Sequence, residues 1–518
     1  MQTPLYYNED STDFFYHADH TQGQGGAHLD AYIDHIAEGG VTTFLCNTNA
    51  QRTNYASDVW TPTWEGLDPD GPDDQPYLAG IASGPHPVDV SRWRSLATNM
   101  LALHEQGIDY PARVIERCRL RGMTPWITLR MNDVHDQMNE THPIHGRFWF
   151  ENQHLWRKNC DDYYSRAFDF GHVEVRDYYM ALVDETLDRY DMDGLELDFL
   201  REPFLFSVGE EEQGRALLTE WVGEIRQRVE AVARKRGHEI LLGVRSPSRP
   251  DVALAYGMDP VRWAREGWID LLVISPRWST IEFAMPMNDW RRRLEGCDVT
   301  LAGGLEILRG NHPTAPKRPV TAAEARGAAA QVLHTGADAV YLFNYFPSAN
   351  PDTIPDAWVR DAYTQTISSL ASLERIEALP RTHAITFTDL IGPEGSIEAP
   401  LQLPGTGADL FFTLPTGPRP AGGTAELVLG LGLPDQESQD ADEADSADAA
   451  DDDAALTVSV NESGDLEVAW VASEEDIRSI GYILPVDALL DGTQNNHIRL
   501  SGPDSLHVEA VEIRISPA

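Results

Sequence analysis

The chain has 518 residues, with 83 acidic and 40 basic side chains, a formal net charge of −43 and a pI near 4.6. A surface this negative repels nucleic acid and anionic headgroups, and no apolar run is long enough to span a bilayer. At 42% hydrophobic and 9% aromatic residues there is material for a large core, and the length predicts more than one domain.

Only Lys158, Lys235 and Lys317 are lysines; the other basic residues are arginine. Excess carboxylate with few lysines keeps a surface hydrated in molar salt, where self-repulsion is screened. The composition resembles that of salt-accumulating halophilic archaea. The run 435–453 holds ten acidic and no basic residues, yet without it the net charge is still −33. Met1 to Asp10 has neither a basic nor an apolar leader region, so a cytoplasmic location is expected. Cys46, Cys118, Cys160 and Cys297 are far apart and fit free thiols.

A strand–helix rhythm runs to about residue 373. Strands are predicted at Pro4–Tyr7, Val41–Cys46, Pro125–Arg130, Gly194–Phe199, Ile240–Arg245, Ile269–Ser275, Val299–Gly304 and Ala339–Asn344. Helices are predicted at His28–Glu38, Pro111–Arg121, Glu174–Arg189, Glu210–Arg236, Pro260–Glu266, Pro286–Leu294, Ala322–Thr335 and Asp356–Leu373. Asp259-Pro260 marks a helix start, Thr321-x-x-Glu324 is a capping box, and Gly122, Gly237, Gly267 and Gly336 mark helix ends. Eight βα units predict a (β/α)₈ TIM barrel over 1–375. An open doubly wound sheet is the alternative, but no phosphate-binding glycine motif follows any strand.

From about Pro380 the period falls to two. Segments Ala384–Leu390, Ser396–Leu401, Asp409–Leu414, Thr424–Leu429, Leu456–Val460, Leu466–Trp470, His497–Ser501 and Val508–Ile515 predict a C-terminal all-β sandwich over 381–518. The insert 435–453 reads as a disordered, solvated loop.

Two long connections, Asn47 to Tyr110 and Met131 to Val173, follow strands 2 and 3 and fall on the face where barrel active sites are built. They carry Trp60, Trp64, Phe148, Trp149, Phe150, Trp156, Tyr163 and Tyr164. Such aromatics suit a sugar cleft, with Trp149 a candidate stacking residue; equally they could form a core of the loops themselves.

The chemistry concentrates at the strand ends. In Asp193-Gly-Leu-Glu-Leu-Asp198 the period of two puts Glu196 and Asp198 on one face, toward the barrel interior. Two buried acids are costly unless paired or functional. They are candidate catalytic carboxylates, or else an ion pair with Arg130 or Arg201. Strand 7 ends at Glu306, and carboxylates on strands 4 and 7 are the arrangement of many retaining glycosidases. Arg130, Asn132, Asp133 and His135 follow strand 3, where Arg suits a fixed carboxylate or an anionic sugar. His135 is open to three roles: proton shuttle, substrate hydrogen-bonder or loop anchor. Arg201, Glu202, Arg245 and Asn344 complete the predicted substrate-binding set, and Asn8, Glu9, Asp10, Asn47, Asn49 and Arg277 are further polar strand ends. His142 and His145 near Asp133 and His135 offer metal donors, but their spacing matches no zinc pattern, so neither metal nor cofactor is expected.

Three segments carry a resemblance: Tyr7-Asn-Glu-Asp10, Arg130-Met-Asn-Asp-Val-His135, and Val175-Arg176 through Asp193 to Phe199. Together they resemble an uncharacterised family of family-10-like glycosyl hydrolase proteins, which implies a TIM-barrel sugar hydrolase over residues 1 to about 373. Asp193-Gly-x-Glu196-x-Asp198 is also similar to the strand-4 motif of family 18 chitinases, with Leu200 where their catalytic Glu stands. Arg201-Glu202-Pro203 is similar to the acid/base motif of retaining clan-A enzymes, with Arg in place of Asn. The expected function is a glycoside hydrolase acting on a poly- or oligosaccharide. The alternative is a barrel that binds carbohydrate without turning it over.

Overall fold

The computed structural model describes residues 3–17, 19–82, 89–160, 163–345, 363–392, 403–432, 456–474, 477–503 and 506–518. Eight parallel strands close a barrel in chain order: β1 (Leu5–Glu9), β2 (Thr43–Asn47), β3 (Thr124–Arg130), β4 (Gly194–Asp198), β5 (Leu241–Pro247), β6 (Leu271–Ser275), β7 (Thr300–Glu306) and β8 (Ala339–Phe343), with β8 pairing back onto β1. The TIM barrel expected from the rhythm is therefore present, and the open sheet is excluded. The capping box at Thr321 and Glu324 forms. Asp259 caps its helix through the Arg262 N–H. Gly237 takes the left-handed conformation that ends Glu211–Arg236.

Strand alternation sends one set of side chains outward, to the helices, and the other into the barrel. The inward apolar set is Leu45, Trp126, Leu271, Val273, Ala302, Ala339, Tyr341 and Phe343, a cluster separate from the main core. The Trp126 indole plugs the floor. Gly194 leaves it room: a Cβ there would lie 2.1 Å from the indole Cε2. Gly194→Ala should therefore overpack the floor and cost about 1–3 kcal/mol, read as a lowered melting temperature; an unchanged melt would contradict this packing.

The connection Asn47 to Tyr110 is not all loop, as expected, but contains the helix Asp89–Glu105. Its apolar face, Val90, Trp93, Leu96, Ala97, Met100 and Leu103, is buried at helical spacing. The predicted helix Asp356–Leu373 is described from Thr364, ends at Leu370 and is followed by a short helix Leu373–Ala378; its first residues lie outside the described ones.

Beyond the barrel the strands are antiparallel. One sheet orders Arg381–Ala384, His507–Pro517, Gly423–Gly432, Ile477–Leu484 and Glu467–Glu474; the other orders Asp409–Pro415, Asn495–Ser501 and Thr457–Val460. Ile477–Leu484 was not anticipated, although its buried Ile480, Tyr482 and Leu484 alternate as a half-buried strand requires. The expected strand Ala384–Leu390 is replaced by a regular stretch only at Arg381–Ala384 and an irregular segment after it. Ser396–Leu401 and 435–453 lie outside the described residues. The first sheet docks on the barrel helix Ala322–Thr335. Contact is so close at Gly327 that a Cβ would lie 2.0 Å from the Thr382 carbonyl oxygen. Buried Arg309 bridges Glu324 of that helix and Glu512 of the sheet, the latter at 2.7 Å. Among the described residues no helix is long and apolar enough to cross a membrane.

Candidate active site

Glu196 occupies the middle of the barrel. Its Oε2 accepts from Thr128 Oγ1 (2.6 Å), Asn8 Nδ2 (2.9 Å) and the Tyr341 hydroxyl (3.0 Å), while Oε1 has no hydrogen-bond partner among the described residues. Burial, then the neighbouring Asp198 charge, pushes Glu196 up to about 7.

Asp198 lies one layer higher. Arg245 grips both its oxygens, at 2.9 and 3.0 Å, and the backbone N–H groups of Leu200 and Arg201 donate to Oδ1. Arg245 in turn lies over the Phe343 ring, 3.8 Å from its centroid. A bidentate guanidinium plus two N–H donors fixes the carboxylate in place.

The strand-3 end builds the adjoining wall, with Arg130 in register with Asp198. Arg130 pairs with Asp10 at 2.7 Å and Asp133 at 3.0 Å. Asp133 accepts from His135 Nδ1 at 2.8 Å, and His135 Nε2 meets Arg201 Nη2 at 2.6 Å. Burial alone would raise Asp133, but His135, Arg130 and Arg201 together hold it well below the usual carboxylate range. His135 is 38% exposed at its side chain, the open member of an otherwise buried chain of polar contacts.

Glu306 closes the ring at the end of β7. Its Oε1 accepts from the Ile307 N–H at 3.0 Å and its Oε2 has no partner among the described residues. Burial outweighs the opposing pull of the Ile307 N–H, Arg245 and Arg201, and pushes Glu306 up to about 8. It therefore carries a proton at neutral pH, whereas Asp198 sits in a salt bridge. A protonated carboxyl beside one fixed in a salt bridge is an arrangement that acid–base chemistry on one substrate can use.

The loop after β6 is tied down from the C-terminal part of the chain. Asp389 accepts from the backbone N–H groups of Arg277 (3.0 Å), Trp278 (2.8 Å) and Ser279 (2.6 Å). Tyr256 OH and Thr386 Oγ1 fasten the same strap, through Ile391 O and to Ile281 O. Arg277 lies over the Tyr164 and Phe204 rings and pairs with Glu202. Asp389→Ala strands three N–H donors, and should cost about 1–3 kcal/mol with a shift in Trp278 fluorescence. An unchanged melt and spectrum would contradict the tie.

Of the residues singled out in the sequence, Arg130, Asp133, His135, Asp198, Arg201, Glu202, Arg245 and Glu306 converge on this upper layer, with Glu196 directly beneath. Asn344, at φ 55°, accepts from the Asp10 N–H at 2.9 Å and so holds that acid on Arg130. Asn132 is turned away: its amide ties Phe168 and Phe204 backbones together. Trp149 is 4% exposed and stacks on His145 at 4.0 Å, inside the loop core. His145 itself is held by Gln51 and the Asn139 carbonyl, and burial lowers it to about 4. Among the described residues no group of three His, Cys, Asp or Glu side chains is placed to hold a metal ion. Sequence reasoning missed Thr128, Tyr341, Trp278, Lys317 and Asp389. Alternation along β3 and β8 would have placed the first two. A groove of about 870 Å³ lined by Thr3, Asp338, Arg381 and Arg419 lies at the opposite end of the barrel, remote from these carboxyls.

No protein-family model and no curated protein matches the chain. Solved structures do. An alpha-L-fucosidase isoenzyme 2 from Paenibacillus thiaminolyticus is 13% identical at TM-score 0.40, over 73% of this chain and 50% of its own. A cycloisomaltooligosaccharide glucanotransferase from a Paenibacillus species is 11% identical at TM-score 0.33, over 98% and 57%. The PgaB (BpsB) glycoside hydrolase domain from Bordetella bronchiseptica is 9% identical at TM-score 0.40, over 72% and 99%. The chain thus spans about half the length of the first two. At such values, substrate and chemistry must be read from this chain's own residues.

Proposed function

We propose that the chain hydrolyses glycosidic bonds of a poly- or oligosaccharide, with Glu306 as proton donor and Asp198 as the carboxylate facing the anomeric carbon. The observation that carries this reading is the pair of inward carboxyls at the ends of β4 and β7, one salt-bridged to Arg245, the other protonated by burial. In the reaction the glycosidic C–O bond breaks, the leaving oxygen takes the Glu306 proton, and Asp198 stabilises positive charge at the sugar. Water then adds to that carbon and its proton returns to Glu306. Glu196 supports Asp198 from below, Arg130 and Asn344 hold the wall, and His135 with Arg201 meets the substrate. A salt-rich cytoplasm as working environment belongs to the same proposal and rests on the composition. The test is reducing-end release from a glycan panel in molar KCl; a folded protein that releases nothing sinks it.

One observation favours the second reading, a binding barrel without turnover. Asp198 is 1% exposed and its oxygens are committed to Arg245 and two N–H groups. Glycan binding that survives Asp198→Asn and Glu306→Gln, with no turnover by the wild type, would establish it.

A further inference from the structure

The upper barrel rim between β4 and β7 carries more cation than its carboxylates use. Arg201 and Arg277 share one acid: Glu202 pairs with Arg277 through Oε2, and its Oε1 lies 3.9 Å from Arg201 Nη1. The closer partner of Arg201 is the His135 ring, not a carboxylate. Lys317 donates to Ser279 Oγ at 3.3 Å and sits 3.6 Å above the Trp278 ring, with Asp389 the nearest negative charge acting on it. Asp389, the next acid, accepts from three backbone N–H groups and its charge acts on both Arg277 and Lys317, so the four cations Arg201, Arg245, Arg277 and Lys317 share three acids, Asp198, Glu202 and Asp389. Glu306, protonated at neutral pH, adds no negative charge.

Donors are also left over. Arg201 Nε, Arg245 Nη1 and Arg277 Nε are buried without a hydrogen-bond partner among the described residues. The Arg245 and Arg277 side chains are 0% and 10% exposed. Arg201 and Arg277 meet on Glu202, Lys317 lies over the ring of Trp278, the residue after Arg277, and the charges of Arg201 and Arg245 both act on the Glu306 carboxyl, so these groups share one rim. Leaving a buried guanidinium N–H unmet is costly, and an anionic oxygen would answer both the unmet donors and the excess charge. A neutral hydroxyl would answer only the donors.

We propose that this rim is a subsite for an acidic sugar, one bearing a carboxylate or a sulfate ester, held by Arg201, Arg277 and Lys317 beside Glu306. The inference rests on the reading that this face binds saccharide and names the class it takes. The exposed Trp278, with Lys317 on its ring, forms the outer edge of the subsite.

The test is calorimetric titration of the full chain in 1 M KCl with three probe sets. Uronic-acid oligosaccharides are paired with their carboxyl-reduced counterparts, sulfated oligosaccharides with their desulfated ones, and neutral oligomers serve as controls. The acidic member of at least one pair should bind ten-fold or more tightly than its counterpart, and which pair responds separates carboxylate from sulfate. Arg277→Gln should weaken that binding about 10- to 100-fold. Lys317→Gln, on an exposed side chain that leaves folding intact, should weaken it several-fold. Equal binding within every pair, or no binding by any acidic probe, overturns the subsite. Acidic probes bound but not cleaved would sink the hydrolase reading and leave the subsite standing. Neutral glycans cleaved without an acidic preference would do the reverse.

Discussion

Glu306→Gln is expected to lower turnover by about 10²–10⁴-fold while leaving the fold intact. Glutamine keeps the shape and the bond from the Ile307 N–H but has no proton to give. The pH dependence makes the expectation specific. Glu306 is needed protonated, and burial has pushed it up to about 8, so wild-type turnover should fall as pH rises through about 8. The same shift has a stability consequence. A carboxyl raised in the folded state keeps its proton between about 4.5 and about 8, where the unfolded chain has released its own. Stability is fully present below the lower value and is lost as pH rises through the upper one. Glu306→Gln should flatten that decline, so the variant melts no lower than wild type at pH 8. Glu282 supplies the control. It is also buried and pushed up to about 8, and Ser248 Oγ donates to both its oxygens at 3.1 Å. Glu282→Gln should change the stability profile in the same sense and spare turnover. Retained turnover in Glu306→Gln would remove Glu306 from the chemistry; equal loss in Glu282→Gln would make the effect structural.

The barrel was legible in the sequence because its signals are local. Each strand is an apolar run with a period of two, and the helix between is punctuated by Asp259, the Thr321–Glu324 box or a terminal glycine. Strand alternation alone also put Glu196 and Asp198 inside the barrel, and Glu306 at the end of β7. What the sequence hid is what the fold brings from far away. Asp389 meets the Arg277 N–H across 112 residues, and nothing near Asp389 announces that it holds a loop on the face that carries these carboxyls. Lys317 reaches Trp278 from the connection after β7 by the same kind of closure. The helix Asp89–Glu105 was hidden differently. Its i, i+3, i+4 apolar pattern was present, but it sat in a connection read as loop. Trp149 shows the opposite trap: an aromatic on the right face, buried under its own loop against His145. Gly481 interrupts the alternation of Ile477–Leu484, and there the Trp470 indole fills the space a side chain would need.

The melting temperature should rise steeply from 0.1 to 2 M KCl. Two electrostatic effects oppose each other on this surface, and their magnitudes decide the sign. Exposed arginine–carboxylate pairs are numerous, Arg119 with Asp191, Arg228 with Asp184 and Arg499 with Asp409 among them, and salt weakens each. Such pairs are worth about 0–1 kcal/mol apiece, so their loss is small. Against them stands a net charge of −43, whose self-repulsion acts between all the charges at once. At about 0.01 M salt the Debye length is roughly 30 Å, so carboxylates across the whole molecule repel; at about 1 M it is roughly 3 Å and only contacts survive. Screening therefore removes more repulsion than attraction, and the folded state gains. The buried bridges, Arg245 with Asp198 and Arg309 with Glu512, lie out of reach of the added ions and should hold throughout. Deleting 436–453 removes nine acidic residues and leaves a net charge of −34, so the shortened chain should respond to KCl nearly as the full one does. A melt that ignores KCl in both proteins would assign the acidity some role other than salt adaptation. A response confined to the full chain would place the effect in the deleted run and not on the barrel and sheets.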